Sequence, residues 1–550
     1  MRFQLPKVPN IKQEINDFRL VLPQMDSSVA PPGVRTNTDT DPVPASKRTW
    51  GKGTWIMYWC SDIITVSGWQ KAASMIALGL DWRQALIVTT VGSILLTIPM
   101  VLNGKIGSVL HIPFPIAIRA SHGYHFAKFP VVSRIITAWL WFGVQSWNGG
   151  AALKLMIGAI WPSFKTLPNH VPASAGFTTQ SMVAYFLYWL LQLPFLFIHP
   201  TKLRHVFFVK SVAVPITGLA TMAWCIAKAG GGGEMFKAGP TVHGSDFSSA
   251  WLLSMTSLIG GYSTVALNIP DFTRYSKDPI SQYVQAPVLP VLYLITALFG
   301  IVAASATKSF NNGVVLWSPL DIAALWDSRA AVFFASSAWC LAQISCNVSA
   351  NSIAAANDLA TLFPKYINIR RGQIITALLG GWAMAPFKIL SSAKVFLNFI
   401  SGYAIVLGPF AGIMCADFYL VKRQFIDVPA LYDPRGVYRF HGGFNWRCVA
   451  TLILTVTPNL PGLINVMNPK IHIGNIKWVY SVSWLFGFIL SIIIYTGLSW
   501  AFPDTTGSLV DHTTLAEDYL AEKGVQSSPS GEDLDEKLEG DAYAVPASKV

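Results

Sequence analysis

Long apolar runs recur along the chain, separated by short polar or glycine-bearing stretches. Many of the runs reach roughly twenty residues, the length that carries a helix across about 30 Å of hydrocarbon. The pattern predicts spans near 54–79, 84–103, 131–160, 179–199, 206–228, 248–269, 283–306, 331–358, 373–387, 395–420, 447–467 and 478–502, the ninth being short. The fold class is an all-α polytopic membrane protein of about twelve transmembrane helices over residues 54–502. Residues 1–53 are polar and proline-rich without periodicity, and 503–550 are acidic and serine-rich without an apolar face. Both read as disordered tails.

One run is interrupted in a telling place. The stretch from Ile259 to Tyr275 begins apolar, meets Gly260-Gly261 and ends in the polar cluster Pro270, Asp271, Thr273 and Arg274. Two glycines weaken the hydrogen-bond ladder and let the backbone open. Opened backbone in a bilayer is tolerated only where it faces protein or a water-filled cavity. The pair therefore reads as a break in a transporter helix with a ligand beside it. Close helix packing by small residues accounts for it as well. Span one carries a comparable Ser67-Gly68. Spans one and six would be matching members of two five-helix repeats of opposite topology, and paired interrupted helices point to a site at the membrane midplane. No residue-level repeat supports this, so the five-plus-five symmetry is an inference from topology.

Composition narrows the class further. Hydrophobic residues make up 52% of the chain and charged residues 12%, with a net charge of +12. That charge is no nucleic-acid footprint, because the basic residues fall mostly between spans, where they set orientation. Lys105, Arg119, Lys128, Arg134, Lys202, Arg204, Lys210, Arg274, Lys277, Lys365, Arg370, Arg371, Lys422, Arg423, Arg435, Arg439 and Arg447 all map to the side of the N-terminus. The opposite loops, with Arg83, Lys165, Lys237 and Lys308, are poorer. The expectation is a multi-pass plasma-membrane protein with both termini cytosolic. No cleavable signal segment stands at the start. The six cysteines form neither a disulfide framework nor a metal spacing.

Several polar residues sit where a bilayer makes them costly. Trp141 and Gln145 lie one helical turn apart in span three. A flat ring beside an amide suits a planar polar heterocycle, and equally a packed indole with an amide bonded to the next helix. In span eight, Ala342, Ser345, Cys346 and Ser349 share one stripe, which reads first as a close-packing surface. Asn347 and Asn351 share another, and two amides a turn apart in mid-span are harder to assign to packing. Asp62 of span one fits a proton site or a capped acid in a vestibule. Lys154 and Asp358 lie near span ends and can snorkel. Asp271 and Arg274 read as a solvated helix terminus, with a gate as the alternative. No phosphate loop, dinucleotide fingerprint, metal-binding spacing or nucleophile elbow occurs. The chain is therefore expected to be no enzyme and to need no cofactor or metal. It draws on an ion gradient or is passive.

Taken together, the motifs resemble the first nucleobase–cation symporter family, in its fungal branch of uracil, allantoin, nucleoside and thiamine permeases. The likeness rests on Asp41-Pro-Val-Pro with Lys47-Arg-Thr-Trp50, Tyr58-Trp-Cys-Ser-Asp62, Trp141-Phe-Gly-Val-Gln145-Ser-Trp and Asn268-Ile-Pro-Asp-Phe-Thr-Arg-Tyr275. It continues through Asn347-Val-Ser-Ala-Asn351, Gly408-Pro-Phe-Ala-Gly412 with Asp417-Phe-Tyr419, and His441-Gly-Gly-Phe-Asn-Trp446. The resemblance implies a five-plus-five inverted-repeat core with discontinuous helices one and six and two extra helices. It implies a substrate ring held between Trp141 and Tyr262, with Gln145, Asn351 and the backbone at Gly261 as further contacts. It places a cation site at Ser61 and Ile64 of span one and Ala342, Ser345 and Cys346 of span eight.

Two departures from similar hydantoin permeases matter. Tyr262 stands where they have Trp, and Cys346 stands where a hydroxyl would serve a hard cation. A thiol is a poor ligand for such an ion, which favours a coupling proton over sodium. Thr65 stands where related permeases often carry an amide. The expected function is symport of a nucleobase-like heterocycle, such as uracil or allantoin, by alternating access. Asp62 is a candidate proton carrier, and Phe399 or a neighbour a candidate outer gate. A nucleoside or thiamine permease is the alternative within the family. A passive facilitator or a substrate-sensing receptor is the alternative outside it.

Overall fold

The computed structural model describes residues 20–22, 27, 29–197, 204–231 and 236–522. Its helices fall into twelve successive spans. Span one is α1 (Lys52–Ile63) and α2 (Val66–Ala77), span two α3 (Trp82–Leu110) and span three α4 (Lys128–Ile160). Spans four and five are α5 (Thr179–Leu196) and α6 (Arg204–Lys228). Span six is α7 (Gly244–Gly260) and α8 (Ser263–Asn268), and span seven is α9 (Gln285–Phe310). Span eight runs through α10 (Arg329–Cys346), a π-helical turn at Asn347–Ser352 and α11 (Ile353–Leu362). The last four are α12 (Ile369–Leu378), α13 (Ala393–Ala416), the pair α14 (Trp446–Val456) and α15 (Leu460–Met467), and α16 (Ser483–Ala501). Among the described residues there are no strands, only three isolated β-bridges.

Each apolar run is thus a helix, with ends shifted by a few residues. The helix α3 runs on past its predicted end to Leu110 and closes on His111 in the left-handed region (φ 57°). Among the described residues, seven helices are long and apolar enough to cross a bilayer by length and composition. Spans one and six are not among them, because each is cut into two shorter helices.

The apolar faces show what surrounds these helices. Ile87, Val91, Ile94 and Ile98 of α3 form an exposed stripe, while Val88, Leu96 and Met100 face inward and are buried. Phe208, Val212, Ile216 and Leu219 of α6 repeat the pattern. Water would penalise such stripes, whereas lipid accepts them. Hydroxyls inside α3 bond back to their own helix, Thr89 to the Ala85 carbonyl and Thr97 to the Ser93 carbonyl, both at 2.8 Å. Inside the bundle, Trp55, Trp59, Trp69, Trp339 and Trp484 are fully buried.

Two features of the fold stand apart from the sequence pattern. The described parts of both tails, though many of their residues are exposed, make specific contacts with the bundle and with each other. Trp50 N–H donates to the Tyr275 carbonyl at 2.8 Å, and Lys277 N–H donates to the Trp50 carbonyl at 2.9 Å. The short helix α17 (Ala516–Glu522) brings Glu517 to Arg48 at 2.5 Å. Composition missed this because isolated backbone pairings and single aromatic anchors leave no periodic signature. Residues 1–19 and 523–550 lie outside the described residues, as does Lys202. Second, Arg134, Lys210, Lys422 and Arg447 are not loop charges. They are buried, between 1% and 5% exposed. Each has a partner inside: Asp358, Ser61, Asp417 and Asp504 respectively.

Candidate functional site

The two cut helices meet. α1 stops at Ile63, Ile64 turns out of the helix (ψ 85°), and Thr65 is extended before α2 begins. The Thr65 hydroxyl accepts the Gly68 N–H at 3.1 Å and so caps α2. The break therefore lies just before Ser67-Gly68. In span six, α7 stops at Gly260 and α8 starts after Tyr262 (φ −124°, ψ 11°). The Tyr262 hydroxyl donates to the Asp62 carbonyl at 2.8 Å, joining one cut end to the other.

Of the two readings of the glycine pair, the local geometry fits close packing. Gly261 has ordinary right-handed helical angles (φ −57°) that any residue adopts. What the pair supplies is room. A Cβ at Gly260 would fall 2.9 Å from Ile400, and one at Gly261 would fall 2.8 Å from the Lys71 ammonium.

A cavity lies beside the breaks. Trp141, Gln145, Gly261, Tyr262 and Asn351 all line it, together with Asp62, Ser67 and Cys346. Trp141 Nε1 donates to the Tyr403 hydroxyl at 2.9 Å, and that hydroxyl donates to the Gly260 carbonyl at 3.0 Å. Gln145 Nε2 donates to Ser67 Oγ at 2.8 Å and to Cys346 Sγ at 3.3 Å, and its Oε1 accepts from Gln343 at 2.5 Å. Asn351 sits on the π-helical turn, which re-aims the residues that follow α10. Its Nδ2 donates to Asn347 Oδ1 at 2.9 Å. The two amides of span eight thus divide. Asn347 is spent on Ser146, Gln192 and the Phe142 carbonyl, tying spans three, four and eight together, while Asn351 borders the cavity.

The five cation-site residues gather less neatly. Ala342 is fully buried and Ile64 nearly so. The Ser345 hydroxyl proton goes to the Leu341 carbonyl of its own helix. Cys346 Sγ donates to Asp62 Oδ1 at 3.8 Å. Ser61 Oγ accepts from the Lys210 ammonium of α6 at 3.4 Å, which puts a fixed positive charge beside that site. Asp62 is 2% exposed, and its Oδ2 is buried without a partner.

Aromatic residues pack against Trp141 of the lining. Trp141 packs on Phe396 (6.2 Å between ring centroids) and on Phe399 (6.3 Å), and Trp317 stacks on Phe396 at 6.0 Å. Phe396 is fully buried and Phe399 partly so. Arg134, also on the lining, belongs to a cluster of charges. Arg134 pairs with Asp358 at 2.5 Å, bonds the Ala354 carbonyl and lies 3.8 Å from Asp271. Asp271 also accepts from Phe114 N–H at 2.8 Å and Asn268 Nδ2 at 3.0 Å. Arg274 donates to the Asp271 and Asp39 carbonyls. Asp271 and Arg274 are therefore not a solvated helix end, and Asp358 does not snorkel. All three are at most 3% exposed, because each finds a charged or carbonyl partner inside.

Lys71 was not singled out by the sequence reading. It lies mid-helix in α2, 3% exposed, and lines the same cavity. Its ammonium is 4.1 Å from the Tyr262 ring centroid and 5.8 Å from that of Trp141. A lysine inside an apolar span is a signal that could have found it. Tyr403, Arg134 and Lys210 were missed as well, the first for lack of any motif and the other two because they sit near predicted span ends.

The model of a family described as permeases for cytosine/purines, uracil, thiamine and allantoin matches residues 42–487. The allantoin permease of Saccharomyces cerevisiae is 33% identical over 505 residues, covering 89% of this chain and 78% of the relative. The uracil permease of the same yeast is 34% identical over 488 residues, covering 85% and 76%. Among solved structures, the inward-facing conformation of Mhp1 superposes with a TM-score of 0.69 at 20% identity, covering 89% of this chain and 99% of that one.

Proposed function

Because the chain belongs to the first nucleobase–cation symporter family, the permeases for cytosine, purines, uracil, thiamine and allantoin, we propose that it imports a nucleobase-like heterocycle of the uracil or allantoin kind across the plasma membrane, driven by protons. The observation that carries this reading is the convergence of Trp141, Tyr262, Gln145 and Asn351 on one cavity between two cut helices. Rings supply stacking surface, amides read the edge of a planar ligand, and Gly261 on the cavity lining offers a further contact. Transport then proceeds by alternating access, with spans one, two, six and seven rocking against the rest. The aromatic cluster at Phe396 and Phe399 is the outer gate and the Arg134–Asp358–Asp271 cluster the inner one. Both termini lie in the cytosol.

Two features favour a proton over sodium. The Ser61 hydroxyl oxygen accepts from the Lys210 ammonium and does not stand free as an oxygen ligand, and the Cys346 thiol offers sulfur where a hard ion wants oxygen. Asp62, buried at the break with one unpartnered oxygen, is the group a proton would neutralise.

The test is uptake of labelled uracil and allantoin by cells stripped of their own nucleobase permeases. Label should accumulate above its external concentration, collapse with a protonophore and ignore sodium replacement. Label that only equilibrates would make the protein a facilitator, and loss of uptake on removing sodium would overturn the proton.

A further inference from the structure

Lys71 places a buried amine on the cavity wall that, among the described residues, has no direct partner. Among the described residues no hydrogen bond and no ion pair within 4.0 Å reaches its ammonium. Asp62, the carboxylate on the same cavity, directs one oxygen to Cys346 and leaves the other unpartnered. It also shares its field with the Lys210 ammonium, so two cations flank one acid. Arg134, the other cation lining the cavity, is spoken for by Asp358.

What Lys71 does touch is the recognition surface. Its ammonium sits over the Tyr262 ring at 4.1 Å and within 5.9 Å of the Tyr293 and Trp141 ring centroids. The room for it comes from Gly261, where a Cβ would meet Nζ at 2.8 Å. A cation–π contact offsets part of the cost of burying an ammonium, but it satisfies none of the three N–H donors and cancels no charge. A buried charge without a partner is expensive, and the expense is relieved when a ligand brings the opposite charge. A neutral carbonyl would occupy the donors and leave the charge. An anionic oxygen would answer both.

We propose that Lys71 makes this pocket selective for a planar heterocycle with an anionic edge, a ring carboxylate or a deprotonated imide, which it grips by a charge-assisted hydrogen bond while Trp141 and Tyr262 hold the ring. The inference rests on the transport reading above and narrows its substrate class. The same ammonium disfavours a cationic ring such as a thiazolium, which would meet a like charge at close range in a poorly screened site.

The experiment uses the full-length protein in nanodiscs and a matched pair of probes, uracil-6-carboxylate and uracil-6-carboxamide, with thiamine as the cationic control. The two uracil probes differ in charge and hardly in shape. Wild type should bind the carboxylate at least about tenfold more tightly than the carboxamide, the scale of a charge-assisted bond, and thiamine least of all. Lys71→Met should bring the ratio close to one, and Lys71→Arg should keep most of it. Equal binding of the pair by wild type, or a ratio that Lys71→Met leaves unchanged, overturns the inference. The wild-type ratio decides the matter if the methionine variant fails to fold. A wild type that takes up labelled uracil yet shows no preference for charge sinks this inference alone. One that binds and carries none of the probes sinks the transport reading with it.

Discussion

The Tyr403 hydroxyl accepts the indole N–H of Trp141 at 2.9 Å and passes its own proton to the Gly260 carbonyl at 3.0 Å. One phenol of α13 thus fixes the ring that walls the cavity and also answers a carbonyl exposed where α7 is cut. Tyr403→Phe keeps the ring and removes only that oxygen, leaving a buried donor and acceptor unpaired. Each such loss costs about 1–3 kcal/mol. We expect KM for the carried heterocycle to rise about tenfold with surface expression intact. Wild-type KM in that variant would show that Trp141 needs no fixing.

The two amides of span eight should separate by phenotype. Asn351→Ala should abolish uptake while the protein still reaches the surface, since Asn351 borders the cavity. Asn347→Ala strips partners from Ser146 and Gln192 and should instead lower stability by about 1–3 kcal/mol, read as a lower melting temperature in detergent. Unchanged transport kinetics in Asn351→Ala would remove that residue from the site.

The pairing of Arg134 with Asp358 makes a sharper claim about stability. Asp358→Asn leaves a buried guanidinium with the Ala354 carbonyl and, as its nearest remaining carboxylate, the more distant Asp271, and should destabilise the fold by about 3–5 kcal/mol. The double variant Arg134→Met/Asp358→Leu should recover part of that loss, because it removes both charges together. A single variant as stable as wild type would mean that Asp271 suffices alone.

Lys210 is expected to carry coupling, not affinity. With Lys210→Met the fixed charge beside Ser61 is gone. Label should then equilibrate without accumulating, and a protonophore should no longer matter. If this variant still concentrates label and still collapses with a protonophore, Lys210 has no part in coupling.

The order and number of spans followed from length and hydropathy alone, since any run of some twenty apolar residues must cross or be buried. The interruption of span six was also legible, because glycines in a membrane helix stand out against their surroundings. So were Trp141, Gln145 and Asn351, as polar groups at a depth where they need a reason. Phe399 drew notice from its position, whereas Phe396, the better-buried ring, carries no local mark that separates it from any core phenylalanine.

What the chain determined by itself, then, was a bundle of apolar helices, two of them weakened, with a few polar side chains held in hydrocarbon. Tertiary structure decided how those groups meet. It turned Gly261 from a flexible joint into a space for the Lys71 ammonium. It drew Arg134 and Lys210 inward to partners more than a hundred residues away, and it aimed Asn351 at the cavity through a π-helical turn. Helical periodicity reports which residues share a face, but whether a charge is solvated or buried depends on the helices that pack around it, and those are chosen by the whole bundle.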